Sequence, residues 1–462
     1  DSVLNFVLVN QKLKQIEDLY LKQGYMLVSI PSVNVSSDGT LHVDISEGVV
    51  EDIVIVGNDK TRDKVITREL KLKKGKPFNK FQASMERLYN LGYFEDVNMK
   101  LLPGKENEHN VIIEIDVIEQ KTGIITVGAG YSDSDGTVGI VELGDTNFRG
   151  TGDKVNFHWE FGGAGDGKNY TISYTHPWIN DNGDSLGASI FNRIYEYDDY
   201  DAKGHEIAEY DKRRKGWNLT WGHVTDEYRT NYFNFESSKE SYDGHDGFDP
   251  QGRFYDQMKK EGVSDYHDSI WYKAIMDNFG TTNSFTFTHV FDNRDNYFNA
   301  SKGHRLSFAA QWGGHGLGGD YDFYKFTAEG RFYKNLGSSH ILALRLMAGY
   351  IDGDVSYGNL FSLGGSNTLR GYEDDQFKGK KMYAGTLEYR FPIAKKVQGV
   401  LFTDVGSTWS LDQGKIPWYE DDDSLNWAVG VGLRLQTPIG PIRLDYGHGD
   451  QNKFHFSFGT QF

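Results

Sequence analysis

From residue 121 to the end of the chain, apolar and polar residues alternate with a period of two. In Trp427–Gln436 every second side chain is large and apolar, and the residues between are small or polar. Trp217–Gly222, Ser284–Phe291 and Arg305–Trp312 repeat the pattern. Successive side chains of a strand point to opposite faces, so this alternation predicts β-strands with one apolar face.

An apolar strand face is covered either by a protein core or by lipid. A soluble sandwich built from some 340 residues of long alternating strands would need a large core with few charges. Aromatic residues make up 14%, and they end segments such as Thr175–Trp178, as the girdle of a membrane barrel requires. No run of about 18 apolar residues occurs, which excludes ordinary membrane-spanning helices only. We therefore expect an outer-membrane barrel over residues 121–462.

The connections between the predicted strands fall into two lengths, and this asymmetry matches the short periplasmic turns and long outer loops of such barrels. The short turns are Gly162–Gly167 and Leu336–Ser339. The long polar stretches, which we expect to be outer loops, are Tyr197–Lys215, Glu240–Asp268, Asp352–Asn359 and Leu411–Asp423.

The first 120 residues follow a different pattern and predict a mixed α/β region with an internal repeat. Residues 49–120 predict the order strand, helix, helix, strand, strand: Asp52–Val56, Lys60–Leu70, Asn79–Leu91, Tyr93–Leu102 and Asn110–Glu119. Residues 1–48 predict only the second half of that order: a helix over Gln11–Gln23 and strands over Ser32–Ser36 and Leu41–Ile45. We expect three domains, 1–48, 49–120 and 121–462, the first truncated at its N-terminal side.

Several functional classes are excluded by composition. The absence of cysteine removes disulfide frameworks, thiol nucleophiles and cysteine-ligated zinc. The net charge of −17 argues against nucleic-acid binding. The 14 histidines form no His-Glu-x-x-His motif, and no Gly-x-Ser-x-Gly motif occurs. We expect no enzyme, no cofactor and no metal site.

Two weak ligand signals have simpler interpretations. Gly162–Lys168 nearly matches a phosphate-binding loop, but Asn169 follows it and its flanks are predicted strands, so a glycine-rich hairpin turn is favoured. Acidic residues of the long loops lack the spacing of a calcium loop, and we interpret them as solvated charge, leaving open cations that bridge lipopolysaccharide. They are Asp198, Asp199, Asp352, Asp354 and Glu420–Asp423.

A glycine-rich stretch, Gly364–Tyr372, carries Arg370 after a long loop. Two acids occur in predicted membrane strands, Asp404 and Glu388, and their neighbours of opposite parity are mainly apolar. A carboxylate on the lipid face costs a few kcal/mol near the midplane, so both acids should face the interior. One arginine of a loop folded into the barrel would satisfy both.

Two further signals lie at strand ends. Asp292–Leu306 predicts a turn that joins two strands. The C-terminal residues Phe454, Phe456, Phe458 and Phe462 have alternate spacing and predict a last strand that presents aromatic rings to lipid.

With these motifs the chain resembles the BamA-type outer-membrane protein assembly factors. Five segments carry the resemblance: Leu369-Arg370-Gly371-Tyr372; Phe402–Gly406, with Phe402, Asp404 and Gly406 as the motif residues; Asp292–Phe298 with Lys302–Leu306; Asn147–Gly152; and Thr437–Arg443. The resemblance implies POTRA modules, which have the strand-helix-helix-strand-strand order, followed by a barrel of about sixteen antiparallel strands.

The resemblance also implies how such a protein acts. Arg370 should enter the barrel interior and pair with Asp404, near Glu388. The first strand, about Thr122–Ser132, and the last, about Lys453–Phe462, should form a weak seam. Gly123, Gly128 and Gly130 lie in the first strand, and interior glycine weakens a strand. A parted seam would template incoming strands.

The expected function is the folding and insertion of barrel proteins into the bacterial outer membrane. Expected partners are unfolded barrel substrates, periplasmic chaperones or accessory proteins, and outer-membrane lipids with lipopolysaccharide. Expected localisation is the outer membrane, with the POTRA region in the periplasm. A two-partner secretion pore and a TamA-like translocation and assembly module remain alternatives, and a passive porin is disfavoured because it needs neither POTRA modules nor an inward arginine loop.

Overall fold

The computed structural model describes residues 5–70, 72–80, 85–107, 109–132, 136–162, 169–244, 248–296, 299–437, 440–458 and 462. The chain forms two compact units, Asp1–Ile125 with Leu143–Val155, and Thr126–Glu142 with Asn156–Phe462. None of the described helices is both long and apolar enough to cross a membrane.

The first unit contains three helices and five strands. Their bounds are α1 Phe6–Lys22, β1 Ser29–Val35, β2 Leu41–Ser46, β3 Val50–Val56, α2 Asp63–Thr67, α3 Met85–Asn90, β4 Phe94–Pro103 and β5 Val111–Glu119. Strands β1 and β2 form an antiparallel pair. In the second sheet β5 is central, parallel to β3 and antiparallel to β4. The predicted strand-helix-helix-strand-strand order is thus present.

The core of this second module lies between β5 and the helices. Ile113 and Ile115 of β5 are fully buried, as are Ile66 of α2 and Leu88 of α3. Alternate positions of β5 therefore face the helices, which explains why both helices carry one apolar face. Residues 81–84 of the predicted helix Asn79–Leu91 lie outside the described residues.

Helix α2 is shorter than the predicted Lys60–Leu70. The backbone N–H groups of Lys60 and Thr61 donate to the Glu119 carboxylate, at 2.8 and 2.6 Å. These residues are therefore held outside the helix, which begins at Asp63. The helical periodicity of residues 60–70 gives no sign of the Glu119 carboxylate, because that residue lies on a strand 58 residues further along the chain.

Glu119 makes the stability of this unit depend on pH. Burial alone would raise the pKa of Glu119, but hydrogen bonds from Thr61 and from the backbone of Lys60 hold it below its ordinary value. A lowered folded-state pKa gives stability that is complete above the unfolded-state value of 4.5 and is lost as the pH falls through the folded-state value.

We expect Glu119→Gln to destabilise the module by about 1 kcal/mol at neutral pH. In the variant a neutral amide oxygen would accept the hydrogen bonds that the charged carboxylate accepts in the unmodified protein. Amide hydrogen exchange of β5, followed from pH 7 to pH 4 in the full chain, measures this. The control is Glu114→Gln on the same strand, whose carboxylate pairs with exposed Lys100 at 3.2 Å. Equal protection of the two variants at pH 7 would contradict the prediction.

The turn Asn147–Asp153 packs against the start of α2 within the first unit. Asn147 Nδ2 donates to Thr61 Oγ1 at 2.8 Å, and the backbone N–H of Arg62 donates to the Gly150 carbonyl at 2.9 Å. Asn147 also accepts the Gly152 N–H at 2.8 Å, which shapes the turn. The turn is therefore bonded to the module at buried positions.

Two glycines of this turn have no room for a side chain. Gly150 has φ +72°, and a Cβ there would lie 1.8 Å from the Lys60 carbonyl oxygen. Gly152 has φ +77°, and its Cβ would lie 2.3 Å from the Arg68 guanidinium. Both the left-handed backbone and the close approach thus require glycine.

The remaining strands and helices belong mainly to the barrel. The strands are β6 Gly123–Ser132, β7 Gly136–Phe148, β8 Asp153–Gly162, β9 Asn169–His176, β10 Ser185–Tyr200, β11 Glu206–Val224, β12 Arg229–Tyr242, β13 Phe248–Pro250, β14 Thr281–Asp292, β15 Gly303–Gly313, β16 Phe323–Gly337, β17 His340–Gly353, β18 Phe361–Leu363, β19 Phe377–Gly379, β20 Lys381–Ala394, β21 Val397–Trp409, β22 Asn426–Thr437, β23 Gly440–His448 and β24 Asn452–Phe458. The helices are α4 Gly252–Glu261 and α5 Ile270–Asp277, with single 3₁₀ turns at Tyr266–Asp268 and Tyr357–Asn359.

All these strands except β18 and β19 close into a ring, in which β24 lies next to β6. Apart from the three-residue β13, the described ring contains sixteen strands, as the family resemblance implied. The predicted alternation is present on the outer surface, where Trp217, Leu219 and Trp221 are exposed between less exposed polar neighbours. Apolar side chains thus cover the outside, as a lipid-facing barrel requires.

The expectation that Tyr197–Lys215 is a loop is wrong. Strands β10 and β11 continue through it, and Tyr197 pairs with Tyr210. Consecutive residues Tyr210, Asp211 and Lys212 are all buried, so apolar and polar side chains no longer alternate here although the ladder continues. Only the tip around residues 201–205 is a turn.

The outer end of the barrel carries its own apolar core. Phe254 of α4, Ile275 of α5 and Trp418 of the predicted loop Leu411–Asp423 are buried together with Tyr210 and Phe248. The predicted loop Glu240–Asp268 therefore contains a strand and helix α4 rather than only solvated chain. Glycine-rich Gly162–Lys168 lies outside the described residues except for its first position.

Candidate functional site

The connection between β17 and β20 folds into the barrel interior and carries Arg370. Arg370, Asp404 and Glu388 are all 0% exposed. Arg370 Nε and Nη2 donate to the two oxygens of Asp404 at 2.8 and 2.9 Å, and Nη1 donates to Glu388 Oε1 at 2.8 Å. The structure thus brings together the three residues that the sequence analysis paired, with a bidentate contact at Asp404.

Further charges extend this pair into a network. Arg434 donates to Asp445 at 2.7 Å and to Glu388 at 3.1 Å, and Arg390 donates to Glu388 at 2.8 Å. Arg434, Asp445 and Arg390 were not predicted from the sequence. Asp445 could have been found by the argument used for Asp404, because its neighbour Tyr446 is an outward-facing aromatic residue.

Burying several charges is costly unless every one is paired. Arg370 touches Asp404, Glu388 and, at 3.5 Å, Asp445. Removing the guanidinium would therefore leave buried carboxylates without their common partner, at a cost of about 3–5 kcal/mol. The ion pairs of Arg370 therefore hold the loop against β20 and β21.

Neighbours of Arg370 in the motif explain how the loop reaches the wall. Leu369 and Tyr372 are buried in an apolar cluster, and Tyr372 Oη donates to the Trp427 carbonyl at 3.0 Å. Gly371 has φ +122°, and a Cβ there would lie 2.7 Å from the Gly449 nitrogen.

Strand β21 contributes the surface on which the arginine lies. The ring of Phe402 lies 3.3 Å from Arg370 Cζ, which adds a cation–π contact. A Cβ at Gly406 would lie 2.9 Å from Leu363 of β18, so the glycine admits the loop. Phe402, Asp404 and Gly406 thus face the interior together and act as one surface.

The same loop is also held by the opposite wall. Lys378 Nζ donates to Tyr197 Oη at 2.8 Å, Tyr357 Oη donates to Asp199, and Gln376 Nε2 donates to the Ala202 carbonyl at 3.1 Å. Burial lowers the pKa of Lys378, and Asp375 and Asp199 partly offset this effect. These contacts were not predicted, because Tyr197–Lys215 was expected to be an outer loop and no prediction covered residues 373–380.

The predicted seam joins neighbouring strands in the ring. In β6, Ile125 and Val127 are 79% and 73% exposed, and Gly123, Gly128 and Gly130 lie in the same strand. In β24, Phe454 and Phe456 are exposed as predicted. The side chain of Phe458 lies outside the described residues.

Phe462 does not continue the outward aromatic row, contrary to the prediction. It is 3% exposed and packs with Ala300, Tyr333 and Ala343, with Arg390 Cζ 5.0 Å from its ring. Residues 459–461, which connect β24 to Phe462, lie outside the described residues.

The acidic loop residues mostly have protein partners. Asp199 accepts from Tyr210 and Tyr357, Asp354 pairs with Lys415, and Asp421 accepts backbone N–H groups. Among the described residues, one cluster of three carboxylates has oxygen atoms close enough together to share a metal ion. It consists of Glu196, Asp198 and Glu209, within 4.8 Å of one another.

Comparisons with known proteins agree with this architecture. The model of the Omp85 superfamily domain matches residues 147–462, and a POTRA model, described as surface antigen variable number repeat, matches residues 49–120. The outer membrane protein assembly factor BamA of Nitratidesulfovibrio vulgaris is 26% identical over 97% of this chain and 56% of its own length. That of Neorickettsia risticii is 26% identical over 98% and 61%. The chain thus spans about three fifths of these relatives.

Solved structures support the fold. BamA from Haemophilus ducreyi lacking POTRA domains 1–3 matches with a TM-score of 0.61 and 19% identity, over 99% of this chain and 93% of that one. CdiB from Escherichia coli matches with a TM-score of 0.63 and 15% identity, over 99% and 83%. The resemblance to BamA-type proteins is confirmed. Because the superfamily model accounts for more than half of the residues, this chain belongs to the Omp85 superfamily, as an integral outer-membrane barrel with a periplasmic POTRA region.

Proposed function

We propose that this protein folds and inserts β-barrel proteins into the outer membrane through the seam between β6 and β24. The observation that carries the proposal is the anchoring of the inward loop on both walls. Arg370 holds it to β20 and β21, and Lys378 holds it to β10. Passage of a polypeptide through the interior would have to break both sets of buried contacts, whereas parting of the seam leaves them intact.

The chemistry proposed at the seam is an exchange of hydrogen bonds. Parting β6 from β24 exposes backbone N–H and C=O groups, and an unfolded substrate pairs with such an edge by strand addition. Glycines in β6 lower the cost of parting, because they contribute no side-chain packing. Local thinning of the bilayer would help the new strand to enter.

The POTRA region is proposed to receive the substrates. In the complete module, β3 and β4 form the two edges of the sheet, and β5 lies between them. An extended segment would add to such an edge through main-chain bonds, with little dependence on sequence. Periplasmic chaperones, accessory assembly proteins, lipids and lipopolysaccharide are proposed partners in the same process.

A secretion function is the second candidate. The likeness to CdiB fits a two-partner secretion pore, and a TamA-like translocation and assembly module would use the same parts. Both would serve particular exported proteins rather than barrels in general. The two classes differ in what the cell loses when the protein is absent.

Depletion of the full-length protein in its native host, followed by quantitative proteomics of the outer membrane, tests the proposal. We expect many unrelated barrels to decline together, because all would depend on one insertion site. Re-expression from a plasmid should restore them and serves as the control. Loss of a single large exported protein, with other barrels intact, would instead establish a dedicated secretion pore.

A further inference from the structure

A groove opens at the start of β6, inside the first compact unit. Its volume is about 670 Å³, which is the size of many small-molecule sites. The groove is lined by Lys60 of the POTRA module, by residues 119–125, which lead from β5 into β6, and by residues 143–145 of β7. It therefore lies where the chain first enters the barrel.

The polar half of the groove is held in place by hydrogen bonds. Lys60 Nζ donates to Thr122 Oγ1 at 2.7 Å and to Asp145 Oδ2 at 2.9 Å, and Thr122 Oγ1 donates to Asp145 Oδ1 at 2.7 Å. The Glu119 carboxylate is fixed by the backbone N–H groups of Lys60 and Thr61. An ammonium group carries three donors and each carboxylate oxygen has two lone pairs, so these fixed charges can still bind a ligand.

The charges of the side chains that line the groove sum to zero. Lys60 and Lys121 are the cations, and Glu119 and Asp145 are the anions. Lys121 is exposed, and no described residue forms a hydrogen bond or an ion pair with its side chain. A purely anionic ligand would meet two carboxylates here, and a purely cationic ligand would meet two ammonium groups. The lining therefore favours a ligand that carries one charge of each sign.

The other half of the groove is apolar and exposed. Ile125 of β6 is 79% exposed and Leu143 of β7 is 44% exposed, and along β6 the exposed apolar surface continues to Val127. The outward apolar surface of a membrane barrel faces lipid. Because the POTRA module is periplasmic, the groove lies at the periplasmic border of this surface, where the headgroups of the inner leaflet lie.

We infer that this groove binds one phospholipid of the inner leaflet whose headgroup carries both a phosphate and a primary ammonium. The phosphate would accept hydrogen bonds from Lys121 and from the remaining N–H of Lys60, and the ammonium would donate to Asp145 and Glu119. The acyl chains would lie on the exposed side chain of Ile125. A choline headgroup has no N–H to donate, and a glycerol headgroup would bring a net negative charge to the carboxylates.

The bound lipid would fix the depth at which β6 enters the bilayer, because the strand and the headgroup would share the same hydrogen-bonded residues. This inference goes beyond the proposed function. It needs the location of the protein in the membrane and no protein substrate.

The test uses the full-length protein in liposomes of phosphatidylcholine with a trace of phosphatidylethanolamine that carries a photoreactive diazirine near the start of one acyl chain. After illumination, mass spectrometry of the digested protein should find more label on residues 121–125 and 143–145 than on β15, whose exposed Phe308 samples the bulk lipid. Unlabelled phosphatidylethanolamine should displace the groove label roughly 10-fold better than phosphatidylcholine or phosphatidylglycerol with the same acyl chains, as one charge-assisted bond supplies.

Three variants keep the test specific. Lys121→Ala should reduce the groove label roughly 10-fold, because the phosphate loses its most accessible donor. Lys154→Ala is the matched control, since it removes an exposed lysine of β8 that does not line the groove, and the label should stay unchanged. Asp145→Asn should shift the preference toward phosphatidylglycerol, because the groove then carries a net positive charge. Heat-modifiability on gels verifies that the barrel of each variant is folded.

Three outcomes would each overturn the inference. They are a groove label no higher than that on β15, equal displacement by the three lipids, and equal label in Lys121→Ala and the unmodified protein. All three leave the insertion function untouched, because no barrel substrate takes part in the experiment and depletion in the native host tests that function separately.

Discussion

Arg370→Ala is expected to lower the heat stability of the barrel strongly, by about 3–5 kcal/mol, because it strands buried carboxylates. Asp404 and Glu388 would lose a partner held at 2.8 Å, and the loop would keep its other contacts, such as those of Lys378 and Tyr372. The measurement is the temperature at which the folded band disappears on a semi-native gel, together with the amount of barrel in the membrane. Lys380→Ala, which removes a loop lysine bonded to the Gly353 carbonyl, is the control.

Exchange of the two charges sharpens this experiment. Arg370→Asp combined with Asp404→Arg should recover part of the stability that each single change removes, because opposite charges again face each other. Damage that simply adds would indicate that the residues do not interact. Unchanged heat stability and unchanged function of Arg370→Ala would remove the anchoring role of the loop altogether.

A disulfide across the seam is expected to abolish insertion while it is oxidised. The chain has no cysteine, so a pair placed in β6 and β24 forms without competition. A panel that combines Ile125 or Val127 with Phe454 or Phe456, all of which face outward, would locate a compatible pair. Insertion into liposomes, measured before and after reduction, gives the effect, and we expect activity to return with the reductant.

The matched control closes a pair of strands that should never part. Leu444 and Phe456 are partners in β23 and β24, and a disulfide between them leaves β6 free. This variant should insert substrates equally well in both redox states. Full activity of an oxidised β6–β24 crosslink would exclude parting of the seam from the mechanism.

The inward network could be predicted only where a strand parity argument was available. Glu388 and Asp404 lie between apolar outward residues in predicted membrane strands, and carboxylates there must face inward. Arg390 and Arg434 also lie between large apolar or aromatic residues, so parity places them inward too, but parity does not identify which inward charges meet. The number of ion pairs therefore exceeded the number predicted.

Contacts on the opposite wall had no signal in the sequence. Tyr197 and Lys378 are separated by 181 residues, and the local sequence around neither residue identifies the other as its partner. Burial of polar groups by other polar segments leaves no apolar periodicity. The apolar core around α4 and α5 was not predicted either, although its aromatic residues were visible in the sequence.

Phe462 shows the limit of parity as an argument. Parity assigned Phe454, Phe456 and Phe462 to one face, because all three are separated by even numbers of residues. Phe462 instead joins Tyr333 and Ala343 in a buried cluster, and a period of two gives no information on where a chain end packs.

The turn Asn147–Asp153, with its two glycines, has a consequence for evolution and for engineering. Residues 143–155 are remote in sequence from the module that they bond, yet they belong to the same compact unit. A chimera cut at residue 120 would bring a foreign module against Asn147, Gly150 and Gly152, whose partners it need not contain. A functional exchange between relatives would have to transplant this turn with the module, and the two segments should vary together in descent.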